Sequence, residues 1–288
     1  MWRTITSEYT RQVRSVAAVL FTFVTSMTVT ACGSGPRPLI LATTTSVGSS
    51  GLLDVLLPAF ERTSGVTASS QLVGSGLALK MLADGNADVA ITHAPAAEAD
   101  ALRAHPSWQY RKIMFNSFVL VGPAADPARV RDARDAPDAM RRIARSTARF
   151  VSRGDRSGTH ERERQLWTAA GAAPPDDRLL VAGAGMAATL RAASESGAYT
   201  LSDRATFAQL QKEFALAVLL EHGADLLNTY AVTVDPAGRN AGAARQFAGW
   251  LSDGNGRGMI EGFRIGAEPA FVLWPAGTAR NSPGDVPR

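Results

Sequence analysis

The sequence predicts an α/β protein with a mainly parallel sheet, and three observations carry that expectation. Short apolar runs alternate with segments whose apolar residues recur at helical spacing: Leu39–Ala42 precedes Leu52, Leu53, Leu56, Leu57 and Phe60, and Val66–Leu72 precedes Leu77–Ala83. Repeating strand-then-helix units bury their strands in a sheet that helices cover. The joints between strand and helix are rich in Gly, Ser and Thr, which suits tight turns opening helices. Finally, the 288 residues are 45% apolar and 19% charged, so the chain has ample material for a core.

The formal net charge is +4, supplied almost entirely by dispersed Arg, too little and too scattered to point to nucleic acid. Arg3, Arg11 and Arg14 precede an apolar run, Val16–Val24, and small residues continue to Ala31. Residues 1–31 therefore read as an export signal, with an apolar run too short for a membrane span. The only cysteine, Cys32, follows Val29-Thr30-Ala31, which resembles a bacterial lipobox. That resemblance implies an acylated Cys32 and a tether over residues 32–38; the alternative is a plain cleavage site beside a chance thiol. With no second cysteine, an exported chain of this kind has no disulfide and depends on its hydrophobic core.

Pro38–Ala42 is the first strand, and six of the eight positions 43–50 then carry a hydroxyl. One Ser or Thr suffices to cap the next helix. This many can present several O–H donors, beside the first helical N–H groups, to one small anion. The plain alternative is a single cap, with the threonines belonging to the strand. Pro58 bends the helix or lies near its end. Val66–Leu72 is the second strand, Gly74-Ser75-Gly76 a small-residue turn, and Leu77–Ala83 the second helix. Asp88–Thr92 is the third strand. His93, in His93-Ala94-Pro95, is read as a packed, hydrogen-bonded turn residue in preference to a ligand. Tyr110–Pro123 ends strongly apolar and suits a strand leaving one lobe for another. Met140, Ile143 and Ala144 form a stripe ringed by Arg141, Arg142, Arg145 and Arg149, a solvated helix face with few aromatics to stack on bases.

The stretch Phe150–His160, FVSRGDRSGTH, is the centre of the chain. A short strand ends at Ser152, a turn carries Arg153, Gly154 and Asp155, and Ser157, Gly158 and Thr159 open a helix. A helix start holds unpaired N–H groups, Arg153 adds a fixed charge with several donors, and Ser157 and Thr159 add neutral ones. The plain alternative is an Arg–Asp surface turn followed by a cap. A helix through Arg162–Ala170 follows. Leu179–Val181 then leads through Gly183 and Gly185-Met186 to another helix. Ala198–Arg204 reads as a strand reaching a ligand-facing turn, with Tyr199 either covering a pocket or packed in the core. Phe214–Leu220 is apolar, Tyr230–Val234 is the return crossing, Gln246–Leu251 is a late helix, and the last dozen residues read as frayed. Neither a mononucleotide loop nor a dinucleotide fingerprint is present, and the four histidines are scattered.

Taken in order, Thr43-Thr44-Thr45-Ser46 with Ser50-Gly51-Leu52-Leu53-Asp54, Asp88-Val89 through His93-Ala94-Pro95, and Asn116 through Pro123 form one pattern. Ser152-Arg153-Gly154-Asp155 with Ser157-Gly158-Thr159-His160, Gly183 with Gly185-Met186, and Ala198 through Arg204 complete it. The set resembles the substrate-binding proteins of tungstate ABC transporters over nearly the whole chain after the signal. The resemblance implies a type II periplasmic-binding-protein fold of two α/β lobes: residues 39–121 plus 235–288, and residues 122–234. It implies that Thr45 and Ser46 belong to the first anion-binding turn and Arg153 and Thr159 to the facing one, with Ser75 as a further contact; Ser157 joins them as a candidate contact from its place at the helix start. It implies tungstate, or tungstate and molybdate, as the ligand. No cofactor, metal or catalytic residue is implied. The implied partners are a permease and an ATPase, and the implied form is a monomer in the periplasm or cell envelope. At Asn116-Ser117 the chain departs from an Asn-Asp pair of many relatives.

Tungstate is a tetrahedral dianion, and neutral hydroxyls and amides with one arginine supply the donors it needs. Sulfate or phosphate would fit the same class, with Asp155 able to accept from a protonated phosphate. A signalling protein that senses an anion is a second class. A hydrolase using Ser157 with His160 is a third, lacking the Gly-x-Ser-x-Gly elbow and an orienting acid.

Overall fold

The computed structural model describes residues 37–155, 157–277 and 281–287. The export signal, Cys32 and most of the tether lie outside the described residues. β1 (Leu39–Thr44) is buried almost throughout and leads into a short helix, α1 (Thr45–Ser49). The hydroxyl-rich turn is thus itself helical, with Thr44 Oγ1 accepting from the Val47 N–H at 3.4 Å as its cap. Gly51, at φ 80°, makes the break that α2 (Leu52–Ser64) needs before it can start in a new direction. Pro58 lies inside α2, whose buried side holds Leu52, Leu53, Leu56, Ala59 and Phe60. The next unit is β2 (Ala68–Val73), α3 (Ser75–Ala83) and β3 (Val89–Thr92). Ser75 is therefore the first residue of its helix and not part of the preceding turn. α4 (Pro95–Ala104) was not legible as a helix in the sequence; Pro95 is tolerated because the first-turn N–H has no helical partner.

β4 (Gln109–Gly122) runs for 14 residues, twice the usual strand. Then come α5 (Ala136–Arg145), β5 (Phe150–Ser152), α6 (Gly158–Ala170), β6 (Leu179–Val181), α7 (Met186–Ser196), β7 (Thr200–Asp203) and α8 (Arg204–Leu210). β8 (Ala217–Leu220), β9 (Leu227–Val234), α9 (Ala241–Ser252) and α10 (Asn255–Gly262) follow. A two-residue hairpin, β10 (Arg264–Ile265) with β11 (Glu268–Pro269), and β12 (Val272–Leu273) end the regular structure. In α5 the stripe Ala136, Ala139, Met140 and Ile143 is buried, and its arginines lie around Asp138 on the outside.

β1 lies between β2 and β3 and parallel to both, which explains its uninterrupted apolar sequence. β9 then pairs antiparallel with β3 and with the first part of β4, where Gln109 faces Val234 and Ser117 faces Leu227. The rest of β4 changes partners: Phe118–Val121 pair with β7, and Leu120–Gly122 with β8. The sheet is mixed, its parallel part confined to β2, β1 and β3. Each half of β4 serves its own core. One gathers Leu41, Phe60, Ile91, Tyr230, Val232, Phe247 and Phe271; the other gathers Phe118, Leu120, Met140, Phe150, Leu166, Tyr199 and Leu201. Each fully buried Leu or Phe contributes about 1.5–3 kcal/mol. Tyr199 is a core residue, its hydroxyl donating to Asp126 Oδ1 at 2.9 Å and accepting from the Ala128 N–H at 2.8 Å. The chain end is held, not frayed: Asn281 Oδ1 accepts from the Lys112 N–H at 2.7 Å and its amide donates to the Tyr110 carbonyl at 3.2 Å.

Candidate functional site

β1 and β2 are parallel neighbours, with Thr44 beside Val73, so α1 and α3 begin at the same sheet edge. The carboxyl ends of parallel strands are where open α/β sheets bind ligands, because helix starts gather there. Thr45 and Ser46 sit on one of those starts and Ser75 on the other.

The facing group comes from the turn after β5. Arg153 is 1% exposed, and its guanidinium reaches out of its own half of the molecule. Nη2 donates to Thr45 Oγ1 at 2.9 Å, Nε donates to Asp155 Oδ2 at 2.8 Å, and Nη1 lies 3.5 Å from Met186 Sδ. A buried guanidinium is tolerable only with a counter-charge and filled hydrogen bonds, and Asp155 and Thr45 supply both. Gly154 follows at φ 67°, and a Cβ there would stand 2.3 Å from Val181 Cγ1. The turn that aims Arg153 therefore needs glycine twice over. Gly185, at the start of α7, packs on Thr45: a Cβ on it would meet the Thr45 side chain at 3.8 Å.

Ser157 caps α6, its Oγ accepting from the His160 N–H at 3.3 Å. That bond runs to the His160 backbone, so the Ser157–His160 pair is joined by a helix cap. Thr159 is fully buried, and its Oγ1 has no hydrogen-bond partner among the described residues. A buried hydroxyl left unpaired costs about 1–3 kcal/mol, so a fold keeps one only for a reason. Ser46 is held in another way. Its carbonyl accepts from Thr206 Oγ1 at 3.2 Å, and its hydroxyl faces Asp203, the buried cap of α8, whose Oδ2 has no partner among the described residues. Burial pushes the Asp203 carboxyl up, against the pull of Thr206, Ser46 and the Arg153 charge. Ser75 is fully buried, and its Oγ accepts from the His93 N–H at 3.3 Å.

The structure thus joins Thr45 directly to Arg153, and links Ser75 to the start of α6 through His93, which packs against Gly158. Asp155, Met186, Asp203, Glu163 and His93 complete the arrangement. Glu163 is the least legible of these: its Oε2 accepts from the Arg153 N–H at 3.0 Å, and burial pushes its carboxyl up to about 7 against bonds from Ser152 and Arg153. Glu163 lies ten residues beyond Arg153, about one and a half turns into α6, and that spacing is the one sequence signal of its return to Arg153. Chemically, the set offers one cation, hydroxyls and helix-start amides, a combination suited to a small anion. Among the described residues no group of three or more His, Cys, Asp or Glu is placed to hold a metal ion.

The family model of the PBP superfamily domain matches residues 21–254. The tungstate-binding protein TupA of Peptoclostridium acidaminophilum is 40% identical over 228 residues, covering 77% of this chain and 80% of that protein. The chain belongs to the PBP superfamily, in the family of the tungstate-binding substrate-binding proteins. Solved members of the family share its architecture. The crystal structure of the tungstate ABC transporter from Geobacter sulfurreducens is 36% identical with a TM-score of 0.70, over 79% of this chain and 99% of that one. The tungstate-binding protein TupA from Desulfovibrio alaskensis G20 is 34% identical with a TM-score of 0.69, over 82% of this chain and 98% of that one. The type II fold expected from the motifs is the fold of this family.

Proposed function

We propose that the protein captures tungstate outside the cytoplasm and delivers it to the permease and ATPase of an ABC importer. The observation that carries this reading is Arg153, a buried guanidinium bonded to Thr45 across the molecule and surrounded by helix-start hydroxyls, in a chain whose relatives bind tungstate. Thr45, Ser46, Ser75, Arg153, Ser157 and Thr159 are the proposed contacts. The Ser46 carbonyl is engaged by Thr206, and Ser46 offers the anion its hydroxyl and its backbone N–H at the start of α1. The protein performs no chemical step; closure excludes water and strengthens each contact.

The proposed lobes are residues 39–121 with 235–288, and residues 122–234. The change of partner along β4 after Ser117, and the pairing of β9 with β3 and β4 from Leu227 onward, support crossings a few residues earlier than those bounds, near residues 117–118 and 226–227. Acylation at Cys32, anchoring to the membrane and a monomeric state are part of the same proposal. Asp155 bears on phosphate: Oδ2 accepts from Arg153 and Oδ1 from the Ser157 N–H at 3.1 Å, which uses two of a carboxylate's roughly four acceptor sites.

Calorimetric titration with tungstate, molybdate, sulfate and phosphate tests the reading. Tight binding of tungstate, with sulfate and phosphate much weaker, is the expected result. Folded, ligand-stripped protein that ignores tungstate would overturn it.

A further inference from the structure

The contact between Gly158 and His93 lies beside the proposed anion contacts, but neither residue is among them. A Cβ placed on Gly158 would come within 2.6 Å of the His93 carbonyl oxygen and within 2.9 Å of two atoms of its ring. The start of α6 therefore rests on the end of β3 with no room for a methyl group. Approaches below about 3 Å are repulsive enough to force backbone to move.

The surface that Gly158 meets is rigid. On either side of His93, the Thr92 hydroxyl donates to Glu98 Oε1 at 2.7 Å and the Ala94 N–H donates to the same oxygen at 3.0 Å. Tyr110 holds the other carboxylate oxygen at 2.8 Å. The His93 ring lies 2.9 Å from Asn228 Oδ1 through Nδ1 and stacks on Tyr230 with centroids 4.9 Å apart. Asn228 in turn donates to Asn116 Oδ1 at 2.9 Å and to the Tyr230 hydroxyl at 2.7 Å, tying both long strands, β4 and β9, into the same network. A close-packed turn bonded at Thr92, Ala94 and His93 Nδ1 transmits force and yields little, with His93 Nε2 and Asn116 Nδ2 left without a partner among the described residues. Beside it, the Glu161 carboxylate on α6 faces the Ala96 N–H at the start of α4.

We infer that Gly158 and His93 form a mechanical stop that fixes how far the two lobes close, and thereby sets the size of oxyanion that both lobes can grip at once. The inference rests on the two-lobe tungstate reading above. Ser75 is bonded to the backbone of His93, and Thr159 adjoins Gly158, so the stop sets the gap between two of the proposed donors. A tetrahedral dianion smaller than the gap engages one side or the other. Charge and shape are common to tungstate, chromate and sulfate, and size is what a fixed gap reads.

Two measurements test the stop. Crystal structures of the protein with tungstate and with chromate should show the same Gly158–His93 approach, because closure ends on the protein and not on the anion. A closer approach with the smaller chromate would overturn the inference. In Gly158→Ala the stop is thicker, so chromate affinity should fall at least about threefold more than tungstate affinity, itself down about tenfold. Glu161→Ala, which removes the side chain facing Ala96 and leaves the stop, should change the affinity for both anions by the same factor. Equal losses in a folded Gly158→Ala protein would also overturn the stop. A parent protein that fails to bind tungstate would instead remove the reading on which the stop depends.

Discussion

Thr159 and Arg153 separate binding from folding at the scale of single side chains. Thr159→Val removes a buried hydroxyl that has no partner among the described residues and keeps its shape. Its melting temperature should hold or rise while tungstate affinity falls about tenfold or more, some 1.4 kcal/mol. Arg153→Ala should lose both, since Asp155 and Thr45 are left without their shared donor. Calorimetry and thermal melts on the two variants distinguish the cases. Glu163 makes a pH prediction. Burial raises its carboxyl from 4.5 to about 7, so the folded state holds the proton more tightly than the unfolded one. Stability from this group is fully present below about pH 4.5 and is lost as pH rises through about 7, a change of up to about 3 kcal/mol. His93, which burial lowers to about 4, acts in the opposite sense, losing stability as pH falls from about 6.5 toward about 4. Glu163→Gln isolates the first effect: equal stability to the parent near pH 4.5 and a gain near pH 8, read from denaturant midpoints.

Among the elements, the turn between β5 and α6 was legible because its residues have few other uses together: a strand end, Arg, Gly, Asp and a capping Ser. The need for Gly154 was not legible, since the obstacle is Val181, which β6 brings beside β5. Gly154→Ala must place a side chain at φ 67° and against that valine. It should cost about 1–3 kcal/mol and weaken tungstate binding with it, because the backbone that aims Arg153 has to move. A variant with unchanged melting and unchanged affinity would show that the turn has slack. α4 escaped sequence reading for a local reason: its apolar residues are mostly alanines, and its one fully buried side chain is Glu98, a carboxylate held by Thr92, Ala94 and Tyr110. Periodicity cannot reveal a helix that buries a charge.

For the molecule as a whole, the proposed ligand bridges the two proposed lobes, so binding should stabilise the described chain as one unit. Tungstate at about a hundred times its dissociation constant adds about 2.7 kcal/mol. A single sharp melt that moves up with tungstate, and far less with sulfate at equal concentration, is the expected outcome of calorimetric scans. The alternation of strands and helices, the hydroxyl-rich helix starts and the Arg-Gly-Asp turn were determined by the sequence alone, because each depends on neighbours within a few residues. So was the family, through motifs whose order survives any folding argument. Tertiary structure alone decided that Arg153 would reach Thr45, that the Ser46 carbonyl would be engaged by Thr206, that Thr159 would have no partner among the described residues, and that Gly158 would rest on His93. These contacts join residues up to 160 positions apart, as in the bond from Thr206 to Ser46. Their geometry comes from the way β4 and β9 carry the chain between two cores, and no local pattern of residue types encodes it.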